Sequence, residues 1–189
     1  MIEVEAKIKI SNPDYFRNKI KKFARFAGKK RKIDSYYTLG EADSYPKRSL
    51  RIRRLDGHYE VNIKKRISYI KGVHAKREIE LRSIEKNSLP AFLDILKDFG
   101  FKKWLVKEKE SEIYRIKENF NVEINNVRKL GWFIEVEKLS DAKGIERARM
   151  EVVNFIKQLG VSEKNIIKDG YTKMLWDKRA GKPINIRAG

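Results

Sequence analysis

Ile2-Glu3-Val4-Glu5-Ala6-Lys7-Ile8-Lys9-Ile10 alternates an apolar residue with a charged one at nearly every step. A period of two belongs to a β-strand, whose successive side chains point to opposite faces. Ile2, Val4, Ala6, Ile8 and Ile10 therefore share one face, and Glu3, Glu5, Lys7 and Lys9 the other. The same alternation returns in Leu50-Arg51-Ile52-Arg53, Val61-Asn62-Ile63-Lys64, Lys76-Arg77-Glu78-Ile79-Glu80-Leu81 and Ile134-Glu135-Val136-Glu137.

Outward from that stretch, Asn12-Pro13 opens an expected helix to about Phe26, with Tyr15, Phe16, Ile20 and Phe23 on one stripe. Residues 33–38 read as a strand and 40–47 as a polar loop. Residues 50–55 and 59–67 read as a hairpin around Asp56-Gly57, a strong two-residue turn signal. Residues 73–84 form a further strand; Ser88 then caps a helix to Phe99, ended by Gly100. Strands recur at 102–117, 121–127 and 132–138. Ser140 or Asp141 caps an amphipathic helix through Ile145, Val152, Phe155 and Leu159, stopped by Gly160. About eight strands and three main helices without a βαβ rhythm make an α+β protein: a closed antiparallel β-barrel or strongly curved sheet with helices packed outside. Residues 1–176 read as one domain and 177–189 as a loose, basic C-terminal tail.

The 189 residues carry a net charge of +19, and 41% are hydrophobic, enough to bury a core. No apolar run approaches the ~20 residues of a membrane span, and the alternating N-terminus is no signal peptide, so the expected location is the cytoplasm, with no membrane partner. There is no cysteine, which excludes disulfides, thiolate zinc sites and Cys nucleophiles. His58 and His74 are too few for a His-rich metal site. A metal here would sit on oxygen ligands, which suits Mg²⁺ or Mn²⁺. The positive excess draws polyanions, nucleotides and nucleic acid among them.

The polar faces of the strands carry the functional signal. Residues i and i+2 on one face lie roughly 6.6–6.8 Å apart, so paired carboxylates converge on one metal or two neighbouring ones. A single strand of this kind is ordinarily the wet side of a half-exposed sheet. Here the signs segregate: Arg51/Arg53 are basic, Glu3/Glu5 and Glu135/Glu137 acidic. If helices cover the apolar outside, the charged faces line the barrel interior. Buried charges then need partners, because desolvating each alone costs several kcal/mol. A metal answers the carboxylates and a phosphate chain the cations.

The ordered motifs resemble the CYTH superfamily, the triphosphate tunnel metalloenzymes. Glu3-Val4-Glu5-Ala6-Lys7 is similar to the family's ExExK opening, Asp34-Ser35-Tyr36-Tyr37 to its D-x-Y-Y strand and Leu50-Arg51-Ile52-Arg53 to L-R-x-R. Asn62-Ile63-Lys64 resembles the strand ending in Lys. Lys76-Arg77-Glu78-Ile79-Glu80 resembles R-x-E-x-E, and the run from Leu130 to Glu137 resembles L-G-x-F-x-E-x-E. The resemblance implies an eight-stranded antiparallel tunnel. It implies Glu3, Glu5, Glu135 and Glu137 as Mg²⁺ or Mn²⁺ ligands, with Asn125 where the family has Asp. Lys7, Arg51, Arg53 and Lys64 are implied triphosphate contacts, with Lys76 in the place of an Arg. Lys109 takes part of a K-x-R role whose Arg aligns with Ser111, and Lys173 stands as a late tunnel lysine. Lys64 and Tyr36 are the implied groups for orienting or deprotonating water.

Three functions follow as expectations: hydrolysis of an inorganic or organic triphosphate, cyclisation of ATP as in class IV adenylyl cyclases, and non-catalytic binding of polyphosphate or RNA through the basic surface. No stretch specifies a base pocket. His74 reads as a strand surface residue, and Trp104, Trp132 and Trp176 as core or rim.

Overall fold

The alternating N-terminal stretch forms β1 (Ile2–Lys9), and both of its faces are buried. The computed structural model describes residues 1–55 and 58–184, apart from the side chains at 66, 82 and 83. The elements that follow are α1 (Pro13–Ile20), β2 (Arg25–Leu39), β3 (Leu50–Arg54), β4 (His58–Ile70) and β5 (Val73–Glu85). Then come α2 (Leu89–Asp98), β6 (Phe101–Lys117), β7 (Phe120–Val127), β8 (Gly131–Ser140), α3 (Ile145–Gln158) and α4 (Tyr171–Arg179). The strands close a barrel in the order β1-β5-β4-β3-β2-β6-β7-β8, antiparallel throughout. The expected α+β closed barrel with helices outside is what forms.

Register explains the inside and the outside. β1 sets Glu5 opposite Glu137 and Lys7 opposite Glu135 on β8, and Glu3 opposite Lys76 on β5. The alternate residues Val4, Ala6 and Ile8 face outward into a core with Val122, Ile124, Ile134 and Val136. Helix α3 covers that core with Ala148, Val152, Phe155 and Ile156, all nearly inaccessible. Burial of each large side chain contributes roughly 1.5–3 kcal/mol. Helix α2 covers β3 and β4 through Leu96 on Ile52 and Val61. Helix α4 packs Tyr171, Met174 and Leu175 on Val127, Leu130 and Phe133. Val127 and Phe133 are in phase with the inward Asn125 and Glu135, so α4 sits against one end of the barrel.

Several local expectations need correction. Helix α1, capped by the Asn12 side chain on Tyr15 N–H at 3.0 Å, ends at Ile20 and not near Phe26. Pairing with β6 captures Arg25 onward as strand, with a bulge between Phe26 and Gly28 where Gly28 takes φ of 134°. Ser88 makes no capping bond to α2. The N-cap of α3 is Gly144, because β8 runs on to Ser140; Asp141 accepts from the Gly144 N–H at 2.7 Å. Helix α4 is a fourth helix that the periodicity does not announce, and it carries residues 177–179 of the expected tail, Asp177 buried. The Asp56-Gly57 turn lies outside the described residues. Among the described residues no helix is long and apolar enough to cross a membrane.

Candidate functional site

The inward faces line a cavity of about 980 Å³. On one side, Glu3, Glu5 and Glu137 bring carboxylate oxygens within 4.8 Å of one another. Glu3 and Glu5 come from consecutive inward positions of β1, and Glu137 is the register partner of Glu5. Lys64 donates to Glu3 at 2.6 Å, Lys7 to Glu5 at 2.7 Å, and Lys76 also to Glu5. Burial opposes charge on Glu5, but Lys7 and Lys76 outweigh it and hold the carboxyl well below the usual range. Burial raises Glu3 despite Lys64. Glu137 is pushed well above the carboxylate range by burial and then by the charges of Glu3 and Glu123. It has no ion pair among the described residues. Three crowded carboxylates form an acidic corner in which Lys64, Lys7 and Lys76 reach Glu3 and Glu5, and only Glu137 is without an ion pair among the described residues.

Glu135 lies two residues from Glu137 but outside this trio. It is bound by Lys7 at 3.0 Å, by Lys109 at 3.2 Å and by the Asn125 amide at 3.0 Å. Asn125 is fully buried and accepts from Ser111 at 2.6 Å. The five expected metal ligands thus separate. Glu3, Glu5 and Glu137 converge, whereas Glu135 and Asn125 belong to a hydrogen-bonded network behind them.

The facing wall is cationic and built on Asp34, which is inaccessible to solvent. Arg53 grips it with Nε at 2.7 Å and Nη2 at 3.0 Å, and Lys107 reaches it at 2.8 Å. Lys107 also donates to the Tyr36 hydroxyl at 3.0 Å. Arg51 pairs with Glu78 at 2.9 Å, and Lys32 and Lys109 each pair with Glu123 at 2.8 Å. Burial and neighbouring cations, set against Asp34 and Glu123 respectively, lower Lys107 and Lys32 to about 8. For Lys64, burial is outweighed by Glu3 and then Glu5, so its proton is held more tightly than in an ordinary lysine.

Of the expected phosphate contacts, Lys7, Arg51, Arg53, Lys64, Lys76 and Lys109 all line the cavity. Lys173 lines it too, more exposed than the rest, paired with Asp177 and over the Tyr45 ring at 5.8 Å. His74 is not a surface residue: it is 4% exposed, lines the cavity, and its Nε2 meets the Lys168 carbonyl at 3.0 Å. Sequence reading assigns no part to Asp34, Lys107, Lys32, Glu78, Glu123 or Tyr171. The first five are in phase with recognised inward residues, so period-two counting reaches them. Tyr171, whose ring lies 5.4 Å from the Lys7 ammonium, comes from α4 and has no such signal.

The CYTH domain family matches residues 1–171. This chain belongs to the CYTH domain family. It is 33% identical over 178 residues to a Methanocaldococcus jannaschii protein bearing the name "Putative adenylate cyclase", covering 92% of this chain and 98% of that protein. A solved Pyrococcus horikoshii structure is similar with a TM-score of 0.71 at 26% identity, over 94% of this chain and 99% of the other. A Hippeastrum protein, described as revealing a dominant triphosphatase activity, shares the fold with a TM-score of 0.65 at 17% identity, over 98% and 100%.

Within the CYTH pattern, two departures of this chain meet in space. Asn125 and Ser111, which the motif resemblance sets against an Asp and an Arg, are register partners joined by the 2.6 Å hydrogen bond. The pair is neutral, so it leaves no unpaired buried charge.

Proposed function

We propose that this CYTH domain is a divalent-metal-dependent hydrolase of a triphosphate held in the barrel. The observation that carries the reading is the convergence of Glu3, Glu5 and Glu137 opposite a wall of anchored cations. Three carboxylates are the donor set that Mg²⁺ or Mn²⁺ takes, and a cation there would offset the burial and like charge that push Glu137 up. Such an ion, when bound, supplies charge neutralisation at phosphate oxygens. Arg51 and Arg53 offer planar donor forks to those oxygens, and Lys7, Lys76, Lys107 and Lys109 offer compact charges.

Lys64 holds its proton firmly and acts as a phosphate contact, not as the base. Tyr36, raised above its ordinary range by burial and Asp34, stays a neutral phenol that orients water. Lys107, which donates to the Tyr36 hydroxyl at 3.0 Å and pairs with Asp34 at 2.8 Å, fixes that phenol in place beside the phosphates. Cyclisation of ATP is the second reading, favoured by the name of the M. jannaschii relative.

The test is incubation of the purified protein with inorganic triphosphate and nucleoside triphosphates, with Mg²⁺, Mn²⁺ or chelator, and identification of every product. Metal-dependent release of orthophosphate is expected. Cyclic nucleotide with pyrophosphate as the sole products would establish the second reading instead. Binding without turnover, lost steeply with salt, would mark a polyanion-binding protein.

A further inference from the structure

Tyr171 opens α4 and brings its ring to a wall otherwise built by strands. It is buried, lines the cavity, and meets Phe133 in a T-shaped contact at 5.1 Å. The chain just before it is tied to the barrel twice. The Ile167 N–H donates to the Lys7 carbonyl at 2.8 Å, and the Lys168 carbonyl meets His74 Nε2 at 3.0 Å. The phenol oxygen accepts from the Asn125 amide at a long 3.4 Å; that amide is itself oriented by Glu135 at 3.0 Å and Ser111 at 2.6 Å. Packing, more than the hydroxyl, therefore holds the ring in place.

Three ammonium groups gather over that ring: Lys7 at 5.4 Å, Lys109 at 5.8 Å and Lys107 at 5.9 Å from its centroid. They come from β1 and β6, and their anions differ. Lys7 pairs with Glu5 and Glu135, Lys109 with Glu123 and Glu135, and Lys107 with Asp34. Like charge opposes the gathering, and Lys109 is among the cations that push Lys107 down. The face of an aromatic ring is negative and attracts a cation within about 6 Å, more strongly where water is excluded. The Tyr171 ring is a contact that all three lysines share.

We propose, resting on the triphosphate reading above, that Tyr171 is a positioning residue whose ring holds Lys7, Lys107 and Lys109 together as one cluster for the phosphate chain. It acts through the three ammonium groups, so triphosphate affinity follows the charge on its ring face and not its hydroxyl.

Calorimetric titration with methylene-bridged, non-hydrolysable inorganic triphosphate and Mg²⁺ tests this. The proteins are the wild type, Tyr171→Phe, and the Phe variant with its ring mono-, di- or trifluorinated. Fluorine withdraws charge from the ring face while nearly keeping its shape, and a thermal melt checks that each variant folds. Tyr171→Phe should bind within a few-fold of the wild type. Affinity should then fall stepwise with fluorination, to about tenfold weaker in the trifluoro variant. Leu175→Ala, a cut in the apolar cluster that seats α4, should lower the melting temperature and keep the affinity. A flat fluorine series, or a loss in Leu175→Ala equal to that of the trifluoro variant, would overturn the role of Tyr171 and leave the triphosphate reading standing. No binding by the wild type would overturn both.

Discussion

Glu135 and Glu137 stand two residues apart on one face of β8 and live in opposite surroundings. Glu135 is bound by two lysines and an amide and is held below the usual carboxylate range, burial being outweighed by Lys109 and Lys7. Glu137 faces Glu3 and Glu5 without an ion pair among the described residues and is held well above that range. The difference teaches that the interior is two regions. One is neutralised from within by Lys7, Lys109, Asn125, Ser111, Asp34 and Arg53. The other crowds three carboxylates together and leaves Glu137 without an ion pair among the described residues. On the proposed reading the first region supplies rigidity and the second binds the metal.

The largest effect should come from the acidic corner. Glu137→Gln is expected to lower metal-dependent phosphate release by about a hundredfold or more, the scale of a bound metal's contribution. Its thermal melt should change little compared with that loss. An activity loss explained by unfolding would erase the distinction between the two regions.

The opposite outcome is expected of Asp34→Asn. Removing one partner of a buried ion pair costs roughly 3–5 kcal/mol, because Arg53 and Lys107 lose their anion. Chemical denaturation measures it. Burial opposes charge on Asp34, but Lys107 and Arg53 hold its carboxyl well below the usual range. A depressed carboxyl contributes stability that is present above its unfolded value, about 3.9, and lost as pH falls through the folded value. The acid side of the stability curve should therefore be steeper in the wild type than in Asp34→Asn.

The smallest effect concerns His74, which burial, then Lys76 and Lys7, lower to about 4, partly offset by Glu5 and the Lys168 carbonyl. The Tyr69 ring packs against it at 4.8 Å. Between about 6.5 and 4 the unfolded chain binds the proton that the folded one excludes, so stability falls as pH falls through that window. His74→Gln should flatten the melting temperature over that range, by less than the Asp34→Asn effect. An identical slope in both proteins would remove His74 from the pH response.

The barrel was legible because its strands alternate so strictly: from β1 the inward set Glu3, Glu5 and Lys7 follows by counting in twos, and Arg51, Arg53 and Lys64 likewise. The division of the carboxylates was not legible. Glu135 and Glu137 are identical in phase and chemistry, and only the register that sets Lys7 opposite Glu135 and Glu5 opposite Glu137 separates them. The contact of Tyr45 with Trp104 and Thr172 escaped for a related reason. Tyr45, Trp104 and Thr172 come from a loop, a strand and a helix that packing brings together. The end of α1 was misplaced because Phe23 and Phe26 fit a helical stripe, while long-range pairing of β2 with β6 claims the chain from Arg25.

The most direct test is Mn²⁺ binding, followed by electron paramagnetic resonance of the free ion, in the wild type, Glu137→Gln and Glu135→Gln. The wild type should bind the ion, Glu137→Gln should weaken it by about tenfold or more, and Glu135→Gln should weaken it far less. Loss of Mn²⁺ in Glu135→Gln with retention in Glu137→Gln would contradict the assignment of the acidic corner.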